Sequence, residues 1–527
     1  MDFKTTEIKL AHENDHQQKK NWRLVMFGRR LFVLLALLVQ FAVSFLLSWN
    51  GAHVFAWVSM GFTVVGILLS LFIIQKKDSS GFKLLWVFFV LAAPIFGVTF
   101  YFVIRGQSST KRMRKISGTI SCQYHRAITQ IAEDIEEIPL GSYDRIASYL
   151  KDHGGFLPCT GGKNTYYPSG EEMFGAMLED LEKAERYIFL EYFIVNEGVL
   201  FSRIYDVLCR KAAQGVEVRL MMDDMGCFLL RPRHFARDME EKGIKVHVFN
   251  PFRPIVTVLQ NNRDHRKIAV IDGKVSYTGG VNIADEYVNL HSRFGYWKDT
   301  AVRMEGTVAR QWAAIFLALW NTSSLTVEEW DRYIEAPEGE VSAAACGGTV
   351  IPYSFYPHTK EPICRNLYLH MIQNARKSLY ICTPYLMPDE SLLDALILAA
   401  RSGVDVRIVI PYHADKKLVK MAGKTYFSDL IRAGVRIYEY TPGFNHGKMV
   451  LADGVYASVG SANLDYRSLY LHYECGALFI GGDVATGLAR DFDTIFADSA
   501  EVPMPRHRLN YLHTVWDQLL RLLAPLM

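Results

Sequence analysis

Two short stretches, "HRKIAV" at 265–270 and "HGKMVL" at 446–451, each place a histidine and a lysine two residues apart at the start of an apolar run. Alternation along a strand puts residues i and i+2 on one face, so His265 with Lys267, and His446 with Lys448, each set an imidazole beside a cation. A neutral imidazole can attack phosphorus, and a second one across the site can protonate the leaving oxygen, because a histidine pKa of ~6.5 makes both states available near neutrality. The two lysines offer compact positive charge to the non-bridging oxygens of a phosphodiester, work that a metal does in other phosphoryl-transfer sites. One motif supplies half a site, and two supply a whole one.

The recurrence is a true repeat. His265 and His446, Lys267 and Lys448, Asp272 and Asp453, Gly279 and Gly460, and Asn282 and Asn463 are all 181 residues apart. Asp272 and Asp453 each open an Asp-Gly between two β runs, "AVIDGKVSY" and "VLADGVYAS". That is a hairpin signal, and it favours a structural role over direct chemistry. Asn282 and Asn463 are candidates to donate to phosphate oxygens, while Gly279, Gly280, Gly460 and Ser461 leave backbone close to a ligand. A histidine that attacks through one nitrogen gains from a carboxylate on the other. Asp299 in "YWKDT" and Glu474 in "HYECG" are the candidates, with a surface ion pair as the alternative reading for each.

The elements that must hold these residues alternate strand and helix. "RYIFLEYFIV" (186–195), a helical stretch over 202–214, "GVEVRLMMDD" (215–224) and "GIKVHVFNP" (243–251) lead to the first motif. "KSLYICTPYL" (377–386), a helix over 390–401, "GVDVRIVIP" (403–411) and "GVRIYEYTPG" (434–443) lead to the second. Continuous apolar strands bounded by Gly or Pro predict sheets covered on both faces, hence two related α/β halves joined near 335–349. The eight cysteines form no C-x-x-C pair, so neither zinc nor a disulfide framework is expected, and no cofactor is called for. With 58 basic and 55 acidic residues, the chain lacks the excess charge of a nucleic-acid binder, and no nucleic-acid partner is expected.

Before these halves the composition changes. Uncharged apolar stretches at 31–48, 54–74 and 84–104 are each near the ~20 residues a membrane helix needs. They predict a multi-pass membrane region after a polar tail. Lys and Arg flank several ends, so one segment, the second or the third with Pro94 and Gly97, is expected to be re-entrant or interfacial, leaving the catalytic part on the cytoplasmic side. At the other end, Leu509, Leu512, Trp516, Leu519, Leu520 and Leu523 recur at helical spacing. They predict an amphipathic helix that helps to hold the soluble part near the bilayer.

The two motifs resemble the HKD signatures of the phospholipase D superfamily, and the arrangement of the whole chain resembles the bacterial cardiolipin synthases within it. "EYFIVNEG", "GGVNIADEY", "TPYLMPDESLLDAL", "GSANLDYRS" and the membrane segment "LLWVFFVLAAPIFGVTFYFVIRG" carry the likeness over residues 54–527. The resemblance implies two pseudo-repeated phospholipase D-like α/β domains that share one active site behind N-terminal transmembrane helices. Its boundaries are a tail at 1–25, membrane segments within 26–106, a first domain at 107–340 (motif 265–282) and a second at 341–527 (motif 446–463). It also implies that His265, Lys267, Asp272, His446, Lys448 and Asp453 form the catalytic set, with Asn282, Asn463, Gly280 and Ser461 supporting phosphate. The implied reaction is metal-independent transfer of a phosphatidyl group between two phosphatidylglycerols, giving cardiolipin and glycerol through a phosphatidyl-histidine, with membrane phospholipids and the bilayer as partners. A membrane-bound hydrolase forming phosphatidic acid, or a phosphodiesterase or nuclease of the same superfamily, are the alternatives. Two departures stand out: the stretch at 31–48 is additional to the family's usual pair of membrane segments, and His472 stands where the family often has Asn.

Overall fold

A computed structural model describes residues 52–105, 111–135, 144–227, 235–251, 261–292, 294–337, 348–357, 359, 361–504 and 511–527. Two compact units emerge, one within residues 1–108 and a body over 109–227, 232–251 and 262–527. The stretch at 31–48 and the centre of the expected linker lie outside the described residues.

In the N-terminal unit the second apolar stretch is one helix, Ala52–Gln75, whose part Ala56–Gln75 is, among the described residues, the span long and apolar enough to cross a membrane. The third stretch, one of the two expected to be re-entrant or interfacial, is not a continuous helix over 84–104. It breaks into Ser80–Ala92 and Pro94–Arg105, of 13 and 12 residues, each short of the ~20 that a crossing needs. The cause is Pro94, which has no N–H to continue the helical ladder. Gly97 then lets the second piece close on the first, for a Cβ there would lie 2.3 Å from the Phe89 carbonyl oxygen. Leu69, Ile73, Val90, Val98 and Tyr101 form the apolar centre of these helices.

The body is built on two sheets. The first contains β1 (Asn164–Tyr167), β2 (Tyr187–Tyr192), β3 (Glu217–Asp223), β4 (Ile244–Phe249), β5 (Lys267–Ile271), β6 (Val275–Gly279) and β8 (Ala301–Glu305), in the order β1-β8-β6-β5-β2-β3-β4. Between β6 and β8 lies the short β7 (Tyr296–Lys298). The second sheet contains β9 (Thr349–Phe355), β10 (Ser378–Cys382), β11 (Asp405–Pro411), β12 (Arg436–Tyr440), β14 (Met449–Ala452), β15 (Tyr456–Gly460), β16 (Glu474–Ile480) and β17 (Ser499–Glu501). Its order is β17-β12-β11-β10-β14-β15-β16-β9, and β13 (Gly443–Asn445) stands apart from it.

Apart from β17, the two orders superpose strand for strand. In each sheet three strands run parallel (β2-β3-β4 and β10-β11-β12) and the motif hairpin joins them antiparallel. The repeat read from residue spacing is therefore a repeat of topology. Wholly buried strands such as β2, β5 and β16 carry apolar residues on both faces because both faces are covered. The helix Thr307–Ser324, buried over most of its length, packs on β5, β6 and β8 of the first sheet and on β9 of the second.

Candidate active site

Each His-x-Lys motif enters the first strand of a hairpin whose far end is an Asp-Gly turn. Asp272 and Gly273 have φ of 56° and 68°, and Asp453 and Gly454 have 55° and 70°, the paired positive angles of a type I′ turn. The carboxylate of Asp272 accepts from the backbone N–H groups of Glu185, Arg186 and Tyr187, each at 2.8 Å. Asp453 does the same for Arg376, Lys377 and Ser378. Both aspartates thus stand seven residues from their histidine, at the opposite end of the strand, with their oxygens spent on the start of β2 or β10. Both carboxylates are engaged with backbone N–H groups beside the turn, away from the histidine of their own motif.

At the histidine end the two halves exchange partners. His265 Nδ1 lies 3.0 and 3.1 Å from the two carboxylate oxygens of Glu474, a residue of the second half. His446 Nδ1 lies 2.7 Å from Asp299 Oδ2, a residue of the first half. The backbone repeats the exchange: the His265 N–H donates to the Tyr473 carbonyl at 2.9 Å, and the His446 N–H donates to the Lys298 carbonyl at 2.7 Å. β13 pairs in parallel with β7, and the bridge between Asp264 and Tyr473 is its counterpart. A carboxylate on Nδ1 orients the ring and leaves Nε2 as the reactive nitrogen. The site therefore exists only where both halves meet.

Burial sets the electrostatics. Lys267, Lys448, Asp299 and Glu474 are 2 % exposed or less, whereas His265 and His446 are 9 % and 8 % exposed, so the imidazoles are the edge that a substrate would reach. Burial, followed by the Lys267 cation, holds the His265 imidazole well below its ordinary pKa, and Lys448 and His446 of the other half add to the effect. Burial and Lys448 bring His446 down to about 4 against the opposing pull of Asp299. Burial also lowers Lys267 to about 8 and Lys448 to about 7. Two imidazoles held toward the neutral form beside two lysines are chemically able to receive an anion.

The surrounding residues differ between the halves. Gly280 is required where it stands, for a Cβ would lie 2.1 Å from Asp299 Oδ1. Its counterpart Ser461 instead donates its hydroxyl to Glu474. Asn282 spends its carbonyl on the Ile194 N–H at 3.1 Å and its amide on the Tyr287 hydroxyl at 2.8 Å. The Asn463 amide donates to Asp465 at 3.3 Å, and its buried carbonyl oxygen has no partner among the described residues. His446 sits among the rings of Trp297, Tyr287 and Phe444, at 5.3, 5.6 and 5.9 Å between centroids. His265 sits between Phe193 at 5.1 Å and His472 at 5.7 Å.

His265, His472 and Glu474 bring three ligand-type atoms within 4.8 Å of one another. Burial, followed by the positive charges of Arg467, Lys416, Lys267 and Arg263, holds the His472 imidazole well below its ordinary pKa. Such surroundings suit a phosphate better than a cation.

Arg266 is a residue that the spacing argument passed over. As the central residue of His-x-Lys it faces away from the site, fully buried, and its guanidinium binds Glu191 at 2.5 Å and Ser354 at 3.1 Å. Glu191 belongs to β2 and Ser354 to β9, so Arg266 ties the two sheets together directly behind the catalytic edge. A charged side chain at the alternate position of an otherwise apolar strand was the available signal.

Comparison with known proteins agrees with this arrangement. The family described as "Cardiolipin synthase, PLD-like domain" matches residues 177–320 and 368–496, one match in each half. "Cardiolipin synthase 2" of Bacillus anthracis is 34 % identical over 473 residues, covering 88 % of this chain and 91 % of the relative. "Cardiolipin synthase" of Alkalihalophilus pseudofirmus is 32 % identical over 503 residues, covering 94 % and 98 %. The crystal structure of phosphatidylserine synthase from Haemophilus influenzae Rd KW20 matches with a TM-score of 0.53 at 15 % identity, over 73 % of this chain and 98 % of that one, a likeness of fold.

Proposed function

The chain belongs to the cardiolipin synthase family of phospholipase D-like proteins, and from that premise we propose that it transfers a phosphatidyl group from one phosphatidylglycerol to another. The observation that supports the reading is the exchange of carboxylates, His265 with Glu474 and His446 with Asp299, by which each half orients the imidazole of the other. One Nε2 attacks the phosphorus of a phosphodiester, while Lys267 and Lys448 hold its non-bridging oxygens. The bond from phosphorus to the head-group glycerol breaks, and the second imidazole, charged once the anion is bound, gives that glycerol its proton. The head-group hydroxyl of a second phosphatidylglycerol then loses its proton to this imidazole and attacks the phosphatidyl-histidine, releasing the ring and forming cardiolipin. Asp272, Asp453, Asn282 and Gly280 shape the backbone that holds these groups, and the seam between the two phospholipase D-like domains falls near residue 340. The helix Ala52–Gln75 supports attachment to the membrane, with a multi-pass region and a cytoplasmic catalytic body as the favoured topology.

The test is to follow products in bilayers of phosphatidylglycerol alone. Water stands at ~55 M, so transfer succeeds only through a positioned acceptor, for which effective molarities of ~10⁵ to 10⁸ M are known. Cardiolipin and glycerol are expected in equal amounts with phosphatidic acid minor, and added glycerol should reverse the reaction. Phosphatidic acid as the main product at every lipid density, with no response to glycerol, would make the protein a hydrolase.

A further inference from the structure

The body carries an apolar surface that the catalytic reading leaves unused. On the helix Lys417–Lys424, Leu418 and Met421 are 51 % and 46 % exposed, and on the helix Tyr511–Leu523, Trp516 and Leu519 are 48 % and 39 % exposed. These helices pack on each other, and the second is not a loose end. Leu520 and Ala524 are buried beneath it, the Arg521 guanidinium donates to Asp429 at 2.6 Å and lies 4.8 Å over the Tyr426 ring, and Arg467 donates to the Leu526 carbonyl at 2.7 Å. A helix fixed this firmly on one side while keeping Trp and Leu outward presents a built surface.

Charge decides what covers it. Lys416 and Lys417 are exposed beside the apolar strip and make no ion pair among the described residues, whereas Lys420 and Lys424 are drawn to Glu439, at 2.8 and 3.7 Å. Asp517 is the exposed acidic group on the outward turn. An apolar strip edged by lysines, with a tryptophan at its rim, fits an anionic lipid surface. The inner face of the helix Lys417–Lys424 leads toward the chemistry: Val419 and Gly423 line a pocket with Phe427 of the next helix and with Tyr385, Leu386 and Phe444, and the Phe444 ring is 5.9 Å from His446.

We propose that the helices Lys417–Lys424 and Tyr511–Leu523 form a docking surface for an anionic phospholipid bilayer, placed so that a head group leaving the surface enters the pocket beside His446. The inference deepens the proposed function and rests on it for the identity of the lipid as an acceptor. The docking itself is tested without reference to turnover. The full chain is reconstituted in phosphatidylglycerol vesicles carrying a diazirine-bearing phosphatidylglycerol, irradiated, and its lipid adducts mapped by mass spectrometry. Adducts within 412–424 and 511–527 are expected in addition to those in the N-terminal helices. Adducts confined to the N-terminal helices, or these segments crosslinking to a second copy of the chain, would overturn the proposal. Met421→Glu with Trp516→Glu should lower the rate on bilayers by about tenfold while the rate on a monomeric short-chain phosphatidylglycerol stays within about twofold. Equal loss on both substrates would show that the surface only stabilises the fold.

Discussion

Set side by side, the two halves solve one problem with different parts. In the first half a short carboxylate, Asp299, stands against a residue without a side chain, Gly280, and reaches across to His446 through one oxygen. In the second a longer carboxylate, Glu474, receives the Ser461 hydroxyl and meets His265 through both oxygens. Burial would raise the Asp299 carboxyl, but Lys448 and His446 more than offset it and hold the group below its ordinary range. Burial drives Glu474 well above its range, and Lys267 and Ser461 reverse this only in part. A backbone repeated strand for strand thus carries an ionised carboxylate behind one histidine and a more readily protonated one behind the other. Symmetry of topology does not impose symmetry of proton affinity.

The strongest challenge to this comparison is to remove one ring at a time. His265→Ala and His446→Ala should each abolish turnover, with losses beyond the ~10² to 10⁴ that follow from losing a single general acid or base, because nucleophile and acid are both essential. Measurable turnover near the parent rate in either variant would mean that one half suffices.

A finer cut separates the carboxylates. Asp299→Asn removes a negative charge and is expected to cost about 10² or more in kcat, whereas Glu474→Gln, replacing a group already inclined to hold a proton, should cost about tenfold. Gly280→Ala should resemble Asp299→Asn, since its methyl would occupy the place of Asp299 Oδ1. Ser461→Ala removes a hydroxyl that donates to Glu474 and accepts from the Cys475 N–H at 2.9 Å, but leaves both carboxylates in place, and should cost less than any of these. Single-turnover rates on phosphatidylglycerol rank the four, and the reverse order would dismiss the electrostatic asymmetry.

Much of this was readable before any coordinates, and the reason is local. His-x-Lys, the Asp-Gly turns and the bounding glycines act within a few residues, so spacing alone announces them. Asp299 and Glu474 were recognisable as carboxylates near a histidine, but not which histidine each serves, because the exchange is made by β13 against β7 across the whole body. Arg266 escaped because the alternation that set His265 and Lys267 together turned it to the other face, where Glu191 and Ser354 wait. In the N-terminal unit, hydropathy described the stretch at 84–104 as one segment, and the backbone restriction at Pro94 divided it.

The lysines allow the comparison to be sharpened by pH. Lys448, brought down to about 7, loses its proton as pH rises through that value, and with it the charge offered to phosphate; Lys267 follows near 8. Values of kcat/KM, which report the free enzyme, should therefore fall severalfold between about pH 7 and 9. Lys448→Arg, whose guanidinium stays charged, should move this alkaline limb upward. The His446 imidazole, near 4, stays neutral across the same range. An alkaline limb that does not move in Lys448→Arg would assign it to another group.

The smallest effect belongs to His472, which stands two residues before Glu474 as Trp297 stands two before Asp299, so that an imidazole meets His265 where an indole meets His446. Its buried Nδ1 has no hydrogen-bond partner among the described residues and lies 3.9 Å from Glu474 Oε1, while its ring stands 5.7 Å from that of His265. Burial and the cations around it keep the imidazole neutral, so it acts on His265 through packing and through Glu474 rather than as a charge. His472→Asn keeps a polar side chain but loses the ring, and should lower kcat by about two- to fivefold, the scale of one neutral contact. Because the effect passes through Glu474, it should shrink when introduced together with Glu474→Gln, a non-additivity that a double-mutant cycle measures directly. If His265, His472 and Glu474 instead held an essential metal, EDTA would abolish activity, a divalent ion would restore it, and His472→Asn would cost as much as chelation. Full activity in EDTA, with only the small loss in His472→Asn, leaves the positive surroundings of this trio to the phosphate.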